Sequence, residues 1–258
     1  MSVNKQAEKF KDQGNDEFRK GDYNKAIECY TYATEMDPKN PVYFTNRSMC
    51  YFKMGEFPKS LRDAEKSISL NANWVKGYYR AGMAQLEMKQ YKEALSNLDK
   101  AAGLEPNTPA YAQAAADAKK RFYATLSPAE ITKMEGNDLF KAGDIDKAIE
   151  KYSKAITQVT SRDDESKKIL ADLYANRAMC NQQRWKYAEV AEDCTQAIEL
   201  NPLHIKALVR RAQAYEALEK YKASLADFEK ASSLAPDMEV AFKGAVRVRG
   251  TLRRMGDM

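Results

Sequence analysis

The sequence holds few of the residues that metal centres, disulfide frameworks and histidine-based active sites require. Its 258 residues include a single histidine and four cysteines. These are His204, Cys29, Cys50, Cys180 and Cys194. No two of the cysteines form a Cys-X-X-Cys pair, and one histidine is too few to complete a typical zinc site. We therefore predict that the chain is not an enzyme and has no metal and no cofactor.

Long apolar runs and a large excess of charge are also missing. No stretch approaches the roughly eighteen apolar residues that a membrane helix needs, and the first residues lack the apolar core of a signal peptide. Lys and Arg number 42 against 37 Asp and Glu, an excess too small to indicate a nucleic-acid binder by itself. We expect a monomeric cytoplasmic protein with no integral-membrane segment and no nucleic-acid partner.

Glycine and proline are scarce as well, at 11 and 8 residues. Alanine, lysine, glutamate, tyrosine and methionine are plentiful, whereas valine and isoleucine seldom alternate with polar residues. This composition favours an all-α fold over a sheet. Because 44% of the residues are apolar, the chain can bury a core and is not expected to be disordered.

A repeated turn sequence gives the period of the chain. Lys-Gly-Asp-Tyr at 20–23 is echoed by Met-Gly-Glu-Phe at 54–57 and by Lys-Gln-Tyr at 89–91, in steps of thirty-four residues. Six units follow this period, in two groups of three. They start at Ala7, Pro41, Val75, Ala129, Ala171 and Ile205. The fourth and fifth starts lie forty-two residues apart, so eight residues are inserted, which we place in the polar stretch 160–166.

Each unit has the pattern of two antiparallel helices. Small residues at the eighth, twentieth and twenty-seventh places let helices approach closely, and a large residue at the twenty-fourth place fills the gap between them. Gly-Asp ends the first helix, and proline at the thirty-second place ends the second. This pattern resembles the tetratricopeptide repeat over nearly the whole chain.

The resemblance implies two three-repeat superhelical arrays, each closed by a C-terminal capping helix. The first domain is predicted to span 7–124, with a capping helix that starts at Thr108-Pro109. The second is predicted to span 127–256, with its final helix from Asp237 to about Arg254. Ser127 and Glu130 have the spacing of a capping box, which predicts the first helix of the second array.

Aligned polar residues mark one face of each array. In a stack of helix pairs the first helix of each unit lines the concave side, and residues four apart on it share a face. In the first array these residues are Lys11, Asn15, Asn46, Lys76 and Arg80. In the second array the aligned residues are Lys133, Asn137, Asn176, Lys206 and Arg210. Asparagine supplies only 13 of the 258 residues, so its recurrence in register indicates a shared role.

Three cations and two amides in one concavity make a receptor for an anion. Amides donate without adding charge, and a guanidinium offers a fixed fork that suits a carboxylate. The alternative is a solvated, weakly selective basic groove, because exposed lysines often do nothing. Recurrence in register favours the receptor.

The two sets are similar to the dicarboxylate clamp of chaperone-binding tetratricopeptide domains. In that family the clamp binds the C-terminal EEVD-type tails of the seventy- and ninety-kilodalton heat-shock chaperones. The resemblance implies that Lys11, Asn15 and Asn46 hold the terminal carboxylate. It further implies that Lys76 holds the last aspartate side chain and that Arg80 bonds the peptide upstream, with the same roles for their counterparts.

Two complete clamps in one chain resemble the tandem co-chaperone group of the Hsp-organising protein, the thirty-four-kilodalton translocase-associated protein and the R2TP adaptors. The resemblance implies a non-catalytic adaptor whose partners are the C-terminal peptides of heat-shock chaperones. One alternative is the targeting region of a larger enzyme, such as a phosphatase or a prolyl isomerase. A weaker alternative is an RNA-binding solenoid, for which base-stacking aromatics are lacking.

Further residues are predicted by spacing to flank the grooves. They are Phe18, Met49 and Lys53 in the first groove, and Phe140, Met179 and Gln183 in the second. The clearest difference between the two grooves is that Gln183 takes the place of Lys53. We therefore expect the grooves to differ in the chaperone that each prefers. For Phe18 and Phe140, helix packing is as good an interpretation as peptide contact. Trp74 and Trp185 are predicted to pack at helix ends.

Overall fold

The computed structural model describes residues 3–161 and 163–256, with side chains from residue 5 onward. Within that part of the chain there are fourteen helices and no strand, in agreement with the predicted all-α fold. The chain divides into two compact units between Thr125 and Leu126. Each unit contains three helix pairs and a final single helix.

The helices follow the predicted units. In the first unit they are α1 (Val3–Lys20), α2 (Tyr23–Met36), α3 (Pro41–Lys53), α4 (Phe57–Leu70), α5 (Val75–Glu87), α6 (Tyr91–Leu104) and α7 (Pro109–Tyr123). In the second unit they are α8 (Pro128–Lys141), α9 (Ile145–Gln158), α10 (Asp164–Gln183), α11 (Tyr187–Leu200), α12 (Ile205–Ala217), α13 (Tyr221–Leu234) and α14 (Glu239–Met255). Each helix packs against the next within its unit, and first helices of neighbouring pairs also touch, as α3 and α5 or α10 and α12 do.

Local signals fix the helix ends. Ser127 and Glu130 form the predicted capping box, in which the Ser127 hydroxyl accepts from the Glu130 N–H and the Glu130 carboxylate accepts from the Ser127 N–H. Asp22 and Asp144 cap α2 and α9 in the same way, because a carboxylate can accept from an otherwise unbonded N–H of the first turn.

The turn inside every helix pair has one left-handed residue. In three turns it is glycine, at Gly21, Gly55 and Gly143, with φ between 76° and 82°. In the other three a residue with a side chain takes the same conformation, at Lys89, Trp185 and Glu219. In all six turns the N–H of the residue after the left-handed one donates to the carbonyl five residues before that donor, which is the bond that closes a Schellman motif.

The core sits between the helices at the predicted small and large places. Tyr30, Leu98, Tyr152 and Phe228 occupy the twenty-fourth place of four units and are no more than 2% exposed. Small residues surround them; a Cβ added to Gly14 would lie 2.7 Å from the Tyr30 ring. The glycine therefore sets the distance between α1 and α2.

The inserted residues lengthen a helix as well as a loop. The predicted stretch 160–166 includes residue 162, which lies outside the described residues. Asp163 caps α10, whose twenty residues exceed the thirteen of α3 by two turns. The insertion therefore begins in the loop and continues into α10, because Asp163 supplies a capping carboxylate and the residues after it favour helix.

Trp185 does not pack as predicted. Its side chain is 76% exposed and its φ is 54°, because the left-handed turn directs it away from the helices. Trp74 is half-buried at the start of α5, where its ring N–H lies 3.4 Å from the Thr45 hydroxyl.

Arg–Asp pairs join the two helices of the second, fifth and sixth repeats. Arg47 forms two hydrogen bonds with Asp63, at 2.7 and 2.8 Å, and also donates to Thr31 of the preceding repeat. The equivalent pairs are Arg177 with Asp193 and Arg211 with Asp227. Each pair joins the two helices of its own repeat, and a further bond from the same arginine to Thr31, Ser153 or Thr195 connects that repeat to the preceding one. The sequence pattern alone does not predict these pairs.

Candidate carboxylate-binding sites

The predicted site residues lie on the first helices of the repeats. We call Lys11, Asn15, Asn46, Lys76 and Arg80 the first site, on α1, α3 and α5. We call Lys133, Asn137, Asn176, Lys206 and Arg210 the second site, on α8, α10 and α12. Each site lies within one compact unit.

The two asparagines of each site are in direct contact. Asn46 donates from Nδ2 to Oδ1 of Asn15 at 3.4 Å, and Asn176 donates to Asn137 at 3.3 Å. Both pairs connect helices that belong to consecutive repeats. The structure therefore brings these residues together in both units.

A tyrosine of the core orients each amide. The Tyr30 hydroxyl donates to Oδ1 of Asn15 at 2.8 Å, and the Tyr152 hydroxyl donates to Oδ1 of Asn137 at 2.8 Å. Because Oδ1 accepts both this bond and the one from the neighbouring asparagine, it is saturated. The Asn15 and Asn137 NH₂ groups make no hydrogen bond among the described residues, so they are available to a ligand.

The lysines nearest the asparagines have acidic neighbours. Lys11 contacts Glu8 and lies 3.4 Å from Asp12, both on its own helix. The Glu8 carboxylate raises the pKa of Lys11 through a hydrogen bond, and Glu8 also accepts from the Tyr43 hydroxyl. Lys133 lies 3.8 Å from Asp172 on α10. These lysines are 21% and 22% exposed, so a ligand can still reach them.

Lys76 and Lys206 differ from this pair. Both are exposed, and neither forms an ion pair within the part of the chain that the structure describes. Lys206 lines a cleft of about 230 Å³ together with Arg210, Gln182 and Gln213. These two ammonium groups are therefore available to an incoming anion at no cost in broken ion pairs.

Arg80 and Arg210 are half-buried without an acidic partner. Arg80 donates to the Met49 sulfur at 2.9 Å and lies 5.5 Å from the centre of the Tyr79 ring. Arg210 donates to Gln182 at 3.2 Å and to the Ala175 carbonyl at 2.9 Å. In both cases burial lowers the pKa. No carboxylate pairs with either arginine over residues 5–161 and 163–256.

Three other half-buried arginines make the contrast clear. Arg47, Arg177 and Arg211 each have a bidentate aspartate, and hydrogen bonding to that aspartate raises their pKa. A guanidinium is costly to bury without a counter-charge. The two arginines that lack one occupy the aligned site positions, which is the arrangement expected of a receptor for an external anion.

The predicted flanking residues have mixed positions. The centre of the Phe18 ring lies 5.4 Å from that of Tyr23, and Phe18 packs against the cluster that contains Tyr30. Phe140 packs against the cluster that contains Tyr152, so the contacts of both residues favour packing. Met49 touches Arg80. Met179 is half-buried, and Lys53 and Gln183 are exposed near the ends of their helices.

Several residues near the sites were missed from the sequence. Gln182 rather than Gln183 contacts Arg210, because that side of α10 faces α12, and it also donates to Gln213 at 2.9 Å. At the equivalent position of the first array stands Phe52. The repeat period predicts that the tyrosines bonded to the asparagines are core residues, but it does not predict the hydrogen bonds of their hydroxyl groups.

Other kinds of site find no support in the described residues. No three His, Cys, Asp or Glu side chains there are grouped so as to hold a metal ion. Three of the four cysteines are buried, and burial raises the pKa of Cys50 to about 12. No described helix is long and apolar enough to cross a membrane.

Comparison with known proteins agrees with the repeat structure. A model described as TPR repeat matches residues 14–55, and one described as Tetratricopeptide repeat matches residues 75–108 and 205–238. Human DnaJ homolog subfamily C member 7 is 25% identical over 89% of this chain and 67% of its own length. Hsp70-Hsp90 organizing protein 2 of Arabidopsis thaliana is 40% identical over 38% of this chain and 17% of its own length.

A solved structure is similar to part of the chain. The first TPR domain of Spaghetti, bound to an HSP90 peptide of sequence SRMEEVD, is 31% identical over 46% of this chain and 95% of that domain, with a TM-score of 0.46. The chain thus spans about two thirds of the DnaJ relative and less than a fifth of the organizing protein. The chain therefore contains tetratricopeptide repeats at residues 14–55, 75–108 and 205–238.

Proposed function

We propose that the chain is a non-catalytic adaptor that binds the C-terminal tails of heat-shock chaperones in two sites. The observation that carries this proposal is the pair of half-buried arginines, Arg80 and Arg210, which have no carboxylate partner among the described residues. Each shares the first helices of its array with two asparagines and two lysines, in the same order along the chain. Such a site is built for an external group with more than one carboxylate.

A free chain end that terminates in aspartate matches this set of donors. It presents two carboxylates on one residue, which an internal acidic residue cannot do. The free amide of Asn15, together with Lys11 and Asn46, suits the terminal carboxylate. Lys76 suits the last side chain and Arg80 suits the peptide upstream. Lys133, Asn137, Asn176, Lys206 and Arg210 take the same roles in the second site.

The energetics require few contacts. A hydrogen bond to a charged group contributes about 1.5–3 kcal/mol, and micromolar affinity needs about −8 kcal/mol. Three or four good contacts per site are therefore sufficient, with little apolar burial. Because these contacts are partly exposed, we expect affinity to fall as salt rises.

The partner class follows from the ligand chemistry and from the relatives. Tails that end in Glu-Glu-Val-Asp supply the paired carboxylates, and the name of one relative includes both Hsp70 and Hsp90. If one chaperone, or a dimer of it, engages both sites, effective concentration raises the apparent affinity above that of either site alone. A cytoplasmic location agrees with these partners.

The test is a titration of the full chain with SRMEEVD as the free acid and as the C-terminal amide. We expect micromolar binding of the free acid and at least about tenfold weaker binding of the amide. The same peptide with one glycine added after the aspartate is the control for length and should also bind weakly. Equal affinity for the acid and the amide would overturn the proposal.

A further inference from the structure

One acidic side chain lies inside the second site. Asp172 is on α10, four residues before Asn176 and on the same helix face. One carboxylate oxygen lies 3.8 Å from the Lys133 ammonium group, and the other lies 3.6 Å from Nε2 of His204. The side chain is 50% exposed. It therefore stands between the α8 lysine of the clamp and the start of α12, where Lys206 follows His204 by two residues.

The groups around Asp172 keep it ionised. Nδ1 of His204 accepts from the Ala207 N–H, so the ring proton of the neutral histidine is on Nε2, facing the carboxylate. A hydrogen bond from His204, with Lys133 and Lys168 close by, lowers the pKa of Asp172. A full negative charge is thus fixed beside the position that a ligand's last residue would occupy.

The first site has no acid at this position. Its equivalent of Asp172 is Val42, and its equivalent of His204 is Trp74. Lys11 has two carboxylates close by, Glu8 and Asp12, but both lie on α1 itself, and Glu8 accepts a hydrogen bond from the Tyr43 hydroxyl. The equivalent of Glu8 in the second unit, Glu130, is occupied in the capping box. The charge on the α10 side of the groove is therefore particular to the second site.

We propose that Asp172 is a specificity-determining residue that cancels, at the second site, the preference for an acidic last side chain that the first site has. This inference rests on the proposed function. A ligand that ends in aspartate brings its last carboxylate close to Asp172, and like charges a few ångströms apart repel near a protein surface. Every free-acid ligand brings its terminal carboxylate to Lys133 and shares the repulsion there, whereas a ligand with a neutral last side chain avoids the additional repulsion of a second carboxylate. The second site thus accepts chain ends more broadly than the first.

The experiment compares two free-acid peptides, SRMEEVD and SRMEEVN, at each site of the full chain. Lys76→Ala silences the first site and Lys206→Ala silences the second. We expect the aspartate peptide to bind the first site about tenfold more tightly than the asparagine peptide, because Lys76 meets a charge. At the second site the two affinities should agree within about threefold.

Exchanging the charge between sites is the decisive step. Asp172→Asn should give the second site the tenfold preference for aspartate, and Val42→Asp should reduce that preference in the first site. Val42→Asn introduces a side chain of nearly the same shape as aspartate but without its charge, and it should leave the preference of the first site unchanged. A preference that is equal at both sites, or that neither charged exchange alters, would overturn the inference.

The outcome separates this inference from the proposed function. If free acids bind and their amides do not, but Asp172→Asn leaves the aspartate preference of the second site unchanged, the adaptor proposal stands and the specificity proposal is wrong. If acids and amides bind alike at both sites, the adaptor proposal itself is wrong. Thermal unfolding of each variant checks that it is folded. Because Asp172→Asn and Val42→Asp lie in different units, one of them still tests the inference if the other does not fold.

Discussion

The Tyr30 hydroxyl donates a 2.8 Å hydrogen bond to Oδ1 of Asn15, and the same bond joins Tyr152 to Asn137. The ring of each tyrosine fills the gap between the helices of a repeat, while its hydroxyl fixes which end of the amide faces the groove. One side chain thus serves both the core and the site. This link makes the binding properties depend on packing inside the repeat.

Removing only the hydroxyl should weaken the site and spare the fold. Tyr30→Phe leaves the ring in place but frees the Asn15 amide to rotate. We expect peptide affinity at the first site to fall about fivefold and unfolding free energy to fall by about 1 kcal/mol. Titration of SRMEEVD in the Lys206→Ala background measures the first effect. Tyr32→Phe, at a half-exposed ring, is the matched control, and equal effects of the two changes would contradict the account.

Adding one methyl group at Gly14 should disturb the same tyrosine from the other side. The new Cβ would lie 2.7 Å from the Tyr30 ring, so the ring must move. We expect Gly14→Ala to cost about 1–3 kcal/mol of unfolding free energy and to weaken the first site with it. Gly250→Ala is the control, because a Cβ there meets nothing within 4 Å; it should stabilise α14 by about 0.5–1 kcal/mol. A neutral Gly14→Ala would show that the close approach is not needed.

Arg80 and Arg47 should respond to mutation in opposite ways. Arg80→Met removes a half-buried charge that has no counter-charge among the described residues. We therefore expect the free energy of unfolding to change by no more than about 0.5 kcal/mol. Peptide binding at the first site should be lost. Arg47→Met leaves the buried Asp63 unpaired and should cost about 3 kcal/mol while sparing peptide contacts. Urea unfolding and peptide titration of both variants decide this. A large stability loss in Arg80→Met would argue for a structural rather than a binding role.

The left-handed turns give a prediction about stability alone. Trp185 has φ 54° and is 76% exposed, so glycine relieves backbone strain and gives up little packing. Glycine also increases the conformational entropy of the unfolded chain, which offsets part of this gain. We therefore expect Trp185→Gly to stabilise the chain by about 0.5–1 kcal/mol. Gly143→Ala, at φ 82°, is the converse and should destabilise it by about 1 kcal/mol. Urea unfolding followed by far-ultraviolet circular dichroism measures the change in stability of both variants. Destabilisation by Trp185→Gly would mean that the indole makes contacts the turn geometry does not suggest.

The repeat period and its small and large residues were enough to predict the helix pairs. Gly14, Tyr30 and Ala33 have side-chain sizes that only close helix packing explains, and proline and glycine mark the ends. The turns at Lys89, Trp185 and Glu219 were not predictable in detail, because nothing in a lysine, tryptophan or glutamate indicates φ > 0. Packing of the two helices imposes that conformation, and the local propensity yields to it.

The site was predictable as a set of aligned positions but not in its interactions. Register shows that Asn15 and Asn137 recur, yet it does not show that a tyrosine fifteen residues later saturates each Oδ1. Nor does it show that Asp63 neutralises Arg47 whereas no described carboxylate neutralises Arg80. These bonds join the two helices of one pair, and the repeat period shows which positions recur without showing which polar side chains meet. Charge pairing therefore had to come from the structure.

The proposed function requires one receptor for a doubly carboxylated chain end in each array. Isothermal titration tests this through the number of SRMEEVD peptides bound per chain. We expect two for the unaltered chain and one for Lys76→Ala or Lys206→Ala, with none for the double variant. Lys92→Ala and Lys230→Ala, at exposed lysines on α6 and α13, should leave the number at two. A single peptide per unaltered chain, or two peptides bound by the double variant, would contradict it.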